Sequence, residues 1–108
     1  MNRKYYPSEI VSMLNVLGER IRIARSRRKW SMEALAERVG IGRRTIARME
    51  QGDPGIALGV FLTVIWTLDL WETVADVADT RSDKVGEFLE KQRLPKRVRA
   101  QKDKDLDF

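Results

Sequence analysis

Arginines and lysines dominate one stretch of this chain. Between residues 17 and 52 they outnumber carboxylates ten to four, and Arg43, Arg44 and Arg48 sit with Thr45 inside six residues. Guanidinium groups packed this closely repel one another unless something anionic neutralises them, and their N–H donors suit phosphate-like acceptors. Residues 53–90 reverse the sign, with eight acidic against two basic side chains; residues 91–108 return to seven basic against three acidic, and the whole chain carries +5. Such blocks assign one surface to a polyanion and another to a different partner, so nucleic acid leads the expected partners. Catalysis has little to work with. Cysteine is absent, which excludes a disulfide framework and a thiolate zinc site, and histidine is absent, which removes the usual metal ligand and general base. Glu33, Glu37 and Glu50 have neither a histidine partner nor an apolar pocket evident from the sequence, so no enzyme, metal or cofactor is expected.

The elements that must carry these side chains are helices. Apolar residues at Ile10, Leu14, Leu17, Ile21 and Ala24 recur every three or four positions and predict one long helix ending near Arg28, with Ser8 as its N-cap. Ser31 caps a second helix bearing Leu35, Ala36 and Val39, which Gly40 ends as a C′ glycine. A third runs from Arg43 to Gln51 with Ile46 and Met49 inward, stopped by Gly52-Asp53-Pro54-Gly55. The fourth, over 57–68, is apolar nearly all round, and a short helix holding Leu70, Trp71, Val74 and Val77 follows. A last helix from Asp83 to Gln92, capped by Ser82, is amphipathic through Val85, Phe88 and Leu89. The longest apolar stretch is eleven residues, 56–66, against the ~20 that a membrane-spanning helix needs, and the start lacks a signal-peptide pattern; a cytoplasmic, nucleoid-associated protein is expected.

The segment MEALAERVGIGRRTIARMEQ, residues 32–51, has helix-turn-helix spacing. Ala36 is small where two helices cross, Gly40 permits a left-handed turn, and Leu35, Val39, Ile41, Ile46 and Met49 form the wedge between them. From Leu17 to Leu70 the chain resembles the Xre family of Cro and phage-repressor-like DNA-binding domains. The resemblance implies that Arg43 to Gln51 is the recognition helix in the major groove, and that a twofold dimer reads half-sites about 34 Å apart. Arg43, Arg44, Thr45 and Arg48 are then the base-reading candidates, the arginines through guanine O6 and N7, although each can instead meet a phosphate. Ser31 and Met32, at the start of the second helix, and Gln51 and Gly52, after the third, are expected to offer backbone amides to phosphates. Two positions depart from the family: Met32 stands where many members carry a glutamine, and Gly42 replaces a Ser or Thr cap. Arg25 and Glu50 resemble the family's structural ion pair, and Trp30 is expected in the core.

A helix as apolar as the fourth needs cover on more than one side, which points to a homodimer joined through Phe61, Ile65, Trp66, Leu70 and Trp71. The fold expected is all-α: a five-helix repressor-like helix-turn-helix domain with an extra C-terminal helix and a basic, flexible tail. Its boundaries are an extension over 1–16 continuing into the first helix, the helix-turn-helix domain over 17–78, the extra helix over 79–93 and the tail over 94–108. In that tail Lys96, Arg97, Arg99 and Phe108 can contact DNA or a protein partner, or the segment serves only as a solubilising end. The overall plan resembles the small HipB-type antitoxins, which implies an autorepressor that binds palindromic operator DNA and a HipA-type toxin kinase. A stand-alone Xre-type regulator and a protein-interaction module that binds no DNA are the alternatives. Residues 72–108 are too few for a ligand domain, so no small-molecule effector is expected.

Overall fold

In the computed structural model, which describes residues 5–93, every regular element is helical. Among the described residues, those up to Ala75 and those from Asp76 form two compact units. The first holds α1 (Ser8–Arg27), α2 (Met32–Val39), α3 (Arg43–Glu50), α4 (Leu58–Thr67) and a single 3₁₀ turn at Trp71–Thr73. The second holds a 3₁₀ turn at Thr80–Ser82 and α5 (Lys84–Arg93). The all-helical class read from the periodicity is therefore the observed one.

One core organises the first unit. Ile21 and Ala24 of α1, Leu35 and Ala36 of α2, Ile46 and Met49 of α3, and Val64, Ile65 and Leu68 at α4 are its buried members. Fully removing a Val, Leu, Ile or Met side chain from water is worth about 1.5–3 kcal/mol, so the seven larger members dominate the unit's cohesion, while Ala24 and Ala36 let the helices approach. Ile10, expected in the inward row of α1, is exposed; the row begins at Leu14, because the first turns of the long α1 run beyond the core. Trp30 is half-buried against the core, with the Arg38 guanidinium 4.2 Å above its ring.

Helix ends follow local chemistry, with two departures from the sequence reading. Ser31 caps α2 by accepting the Ala34 amide at 3.0 Å, and Gly40 ends α2 in the left-handed region at φ 87°. Ser8, however, is the first residue of α1 rather than its cap; Pro7 holds the cap position and supplies no side-chain bond. At α5 the cap is Asp83, whose carboxylate accepts the Gly86 amide at 2.9 Å, while Ser82 is taken up in the preceding 3₁₀ turn. In that turn the Asp79 carboxylate accepts from both the Arg81 guanidinium and the Arg81 amide, which lowers its pKa to about 2.

Two further expectations change. The short helix after α4 is only the 3₁₀ turn: Asp69 turns left-handed at φ 59°, the Thr73 hydroxyl donates to the Leu70 carbonyl, and the β-branched Thr73 and Val74 resist continuation. Ile65 is not available to a second copy. At 6% exposure it lies on the core face of α4 with Phe61, Val64 and Leu68, because positions three and four apart share one side of a helix. Phe61 and Leu70 are half-buried against the same core, which leaves Trp66 at 67% and Trp71 at 45% as the exposed members of the expected interface.

Candidate nucleic-acid interface

α3 presents one face to solvent because its other face is held in three ways. Ile46 and Met49 are buried in the core. Glu50, with 4% of its side chain exposed, accepts two hydrogen bonds from Arg25 of α1, from Nε at 2.7 Å and from Nη2 at 2.9 Å. Arg25 Nη1 donates onward to the Trp30 carbonyl at 3.0 Å, and the carboxylate beside it raises the guanidinium's pKa. The third restraint is steric: a Cβ on the buried Gly18 of α1 would stand 2.5 Å from the Glu50 carbonyl oxygen and 2.7 Å from that of Met49. Only glycine lets α1 approach the end of α3 this closely.

Opposite this anchored face, Arg44, Arg48 and Gln51 follow one another at i, i+4 and i+7, and all three are exposed. The Arg44 guanidinium makes no ion pair or hydrogen bond with any described residue. Arg48 donates from Nε to Asp53 in the following turn at 2.7 Å. Arg43 leans toward α2, where its Nε lies 2.7 Å from Glu33, both side chains being well exposed. Thr45 is half-buried beside the core residues rather than on the outer row. The structure thus brings two of the four base-reading candidates, Arg44 and Arg48, into line with Gln51, and sets Arg43 and Thr45 to the side.

The proposed phosphate positions fare differently. At the start of α2, the Ser31 hydroxyl is engaged with Ala34, the Met32 side chain packs on the core, and the Glu33 carboxyl occupies the helix terminus. A hydrogen bond from its own backbone amide, aided by Arg43, holds Glu33 below the usual carboxylate range. A phosphate at this helix end would meet a like charge. The amides of Gln51 and Gly52 are not free, contrary to the sequence expectation: Gln51 donates to Ala47 and Arg48, and Gly52 to Met49 at 3.0 Å. These bonds close the C-terminus of α3 around Gly52 at φ 80°, and they consume the donors a phosphate would need. Gln51 keeps its exposed side chain.

Three structural contributors escaped the sequence reading. Gly18 carried a signal, since an isolated glycine inside a helical pattern usually marks close packing. Arg28 bonds the Ala24 carbonyl at 2.8 Å and the Leu68 carbonyl at 2.6 Å, tying α1 to the end of α4 across forty residues; nothing local announces that partner. Asp53 looked only like part of a turn. The tail positions Lys96, Arg97, Arg99 and Phe108 lie outside the described residues. Among the described residues no helix is long and apolar enough to cross a membrane.

Comparison with known proteins agrees with this geometry. The helix-turn-helix domain family matches residues 16–80, which include α2, the glycine turn and α3 with its supporting helices. Comparison with curated proteins gave no match, and comparison with solved structures gave none. With a family match over more than half its length, and with an exposed basic row on a helix anchored from behind, the chain belongs to the helix-turn-helix domain family, whose characteristic role is DNA binding.

Proposed function

We propose that this protein is a sequence-specific transcriptional repressor that binds palindromic duplex DNA as a homodimer, with α3 in the major groove. The observation that carries the reading is the row Arg44, Arg48 and Gln51, exposed on the side of α3 opposite its buried ion pair. A rigidly seated helix with outward guanidinium groups is what direct readout of guanine requires, and the surrounding basic block supplies phosphate neutralisation. Trp66 and Trp71, with Leu62 and Thr63, line a shallow depression on the outer side of α4, and they are the surface assigned to the second copy. No step of this role needs catalysis.

The finer reading is the antitoxin of a toxin-antitoxin operon that represses its own promoter and binds a HipA-type kinase. It rests on the resemblance of the overall plan to HipB-type antitoxins. Its test is co-purification of the protein with the product of the adjoining gene.

The DNA-binding test compares the duplex upstream of the protein's own gene with a scrambled duplex over a salt series, with Arg44→Ala alongside. Expected are a clear preference for the upstream duplex, a log–log salt slope that reflects several phosphate contacts, and loss of the preference in the variant. Equal binding to both duplexes, or affinity indifferent to salt, overturns the reading in favour of a protein-interaction module.

A further inference from the structure

We propose that Asp53, in the turn after α3, is a positioning residue for DNA recognition. At the protein surface it engages the Nε edge of the Arg48 guanidinium, so that the end carrying the two Nη donors is left for a base and held in a fixed direction. The inference rests on the reading of α3 as the recognition helix.

The Asp53 carboxylate is anchored on both oxygens. Oδ2 accepts the Arg48 Nε–H at 2.7 Å, and Oδ1 accepts the Gly55 amide at 2.7 Å. The Asp53 amide in turn donates to the Arg48 carbonyl at 3.1 Å, so backbone and side chain bind the turn to the same residue. Pro54 fixes φ between the two anchor points. Gly55 completes the cradle: a Cβ there would stand 3.2 Å from Asp53 Oδ1 and 3.4 Å from Arg48 Nη2, so the turn lies directly against the guanidinium.

A guanidinium held through Nε keeps its Nη1 and Nη2 donors, the end-on pair that spans N7 and O6 of a guanine. Neither Nη atom of Arg48 makes a hydrogen bond with a described residue. Arg44, one turn earlier, has no such support, and Arg43 is turned aside to Glu33, so Arg48 is the arginine of the outer row that meets a carboxylate anchored on both oxygens. An arginine already ordered before binding forfeits less side-chain freedom when it meets its base.

Charge alone argues the opposite effect for Asp53. A carboxylate beside a duplex repels phosphates, so removing it should tighten binding to any sequence. If Asp53 positions Arg48, its removal instead lowers selectivity while leaving general affinity equal or higher. The two roles therefore predict different changes in one ratio.

The experiment uses the full chain and a randomised duplex library. Wild type, Asp53→Asn, Asp53→Ser, Arg48→Ala and the double variant Arg48→Ala with Asp53→Asn are each used to select bound duplexes. Affinities for the wild-type selected duplex and for its scramble are then measured at one salt concentration. Asparagine and serine both keep an acceptor for the Gly55 amide, and thermal melting of each variant identifies any that fails to fold. Expected is a selected-over-scrambled ratio about tenfold lower in the Asp53 variants, with the preference at one base pair of the motif erased. In the Arg48→Ala background, Asp53→Asn should change the ratio no further. An unchanged ratio, or a uniform rise in affinity with the motif intact, overturns the proposal while leaving the DNA-binding reading in place. A wild-type protein that selects no motif overturns that reading itself, and this inference falls with it.

Discussion

Arg25 and Arg44 are chemically identical and energetically opposite. Arg25 is 13% exposed and satisfies a carboxylate that is 4% exposed, so Arg25→Ala strands Glu50 as an uncompensated buried charge. The expected cost is about 3 kcal/mol, whereas Arg44→Ala, on the open face, should stay within about 0.5 kcal/mol. Thermal melts of the two variants decide this; equal melting temperatures would remove the structural role of the pair. Gly18 poses a contest of two effects. Alanine in mid-helix normally gains about 0.5–1 kcal/mol over glycine, but here its Cβ would overlap the Met49 and Glu50 carbonyls, backbone atoms that cannot rotate away. The overlap wins, and Gly18→Ala should lose about 1–3 kcal/mol net, read as a lower urea midpoint. A stabilised variant would show that α1 and α3 are not in close contact there.

At the scale of elements, the helix ends decide where each helix points. α1 closes with the Trp30 amide on the Arg25 carbonyl at 3.2 Å, and α4 with the Leu70 amide on the Ile65 carbonyl at 3.0 Å. Both closures place a side-chain-bearing residue in the left-handed region, Lys29 at φ 57° and Asp69 at φ 59°, where α2 uses Gly40. A left-handed backbone costs a residue with a Cβ about 1–2 kcal/mol, so Lys29→Gly and Asp69→Gly should each stabilise by roughly 0.5–1 kcal/mol after the entropy cost of glycine. Asp69→Gly also removes a negative charge from a helix C-terminus, which acts in the same direction. The melting temperature should rise by several degrees in each variant and fall in Gly40→Ala; a drop for Lys29→Gly would mean that its side chain contributes more than its backbone strain.

For the whole molecule, the proposed function gives the two surfaces of the first unit separate tasks. The basic row on α3 faces outward, while the exposed tryptophans lie on α4 and the turn after it. Trp66 touches solvent over two thirds of its surface, so Trp66→Glu removes an apolar anchor without opening the core. The variant should sediment as a folded monomer where wild type sediments as a dimer, and it should lose affinity for a palindrome while keeping weak binding to a half-site. A variant that remains dimeric would move the interface elsewhere.

Short-range chemistry was legible in the amino-acid sequence. Ser31 and Gly40 bound α2, Gly52 stops α3, and the three-and-four spacing of Leu14, Leu17, Ile21 and Ala24 in α1 and of Ile46 and Met49 in α3 marks helix faces, because caps and periodicity depend on neighbours within one or two turns. The basic composition of α3 was equally plain. Which of its arginines remains free was not, since Arg43 and Arg48 are engaged by carboxylates whose positions depend on how α2 and the following turn fold back. The same limit hid Ile65's place in the core and the reach of Arg28 to Leu68. An apolar residue on a helix that is apolar all round carries no mark of the side that will be covered, and a donor carries no mark of its acceptor; only the packing of one helix on another makes those choices.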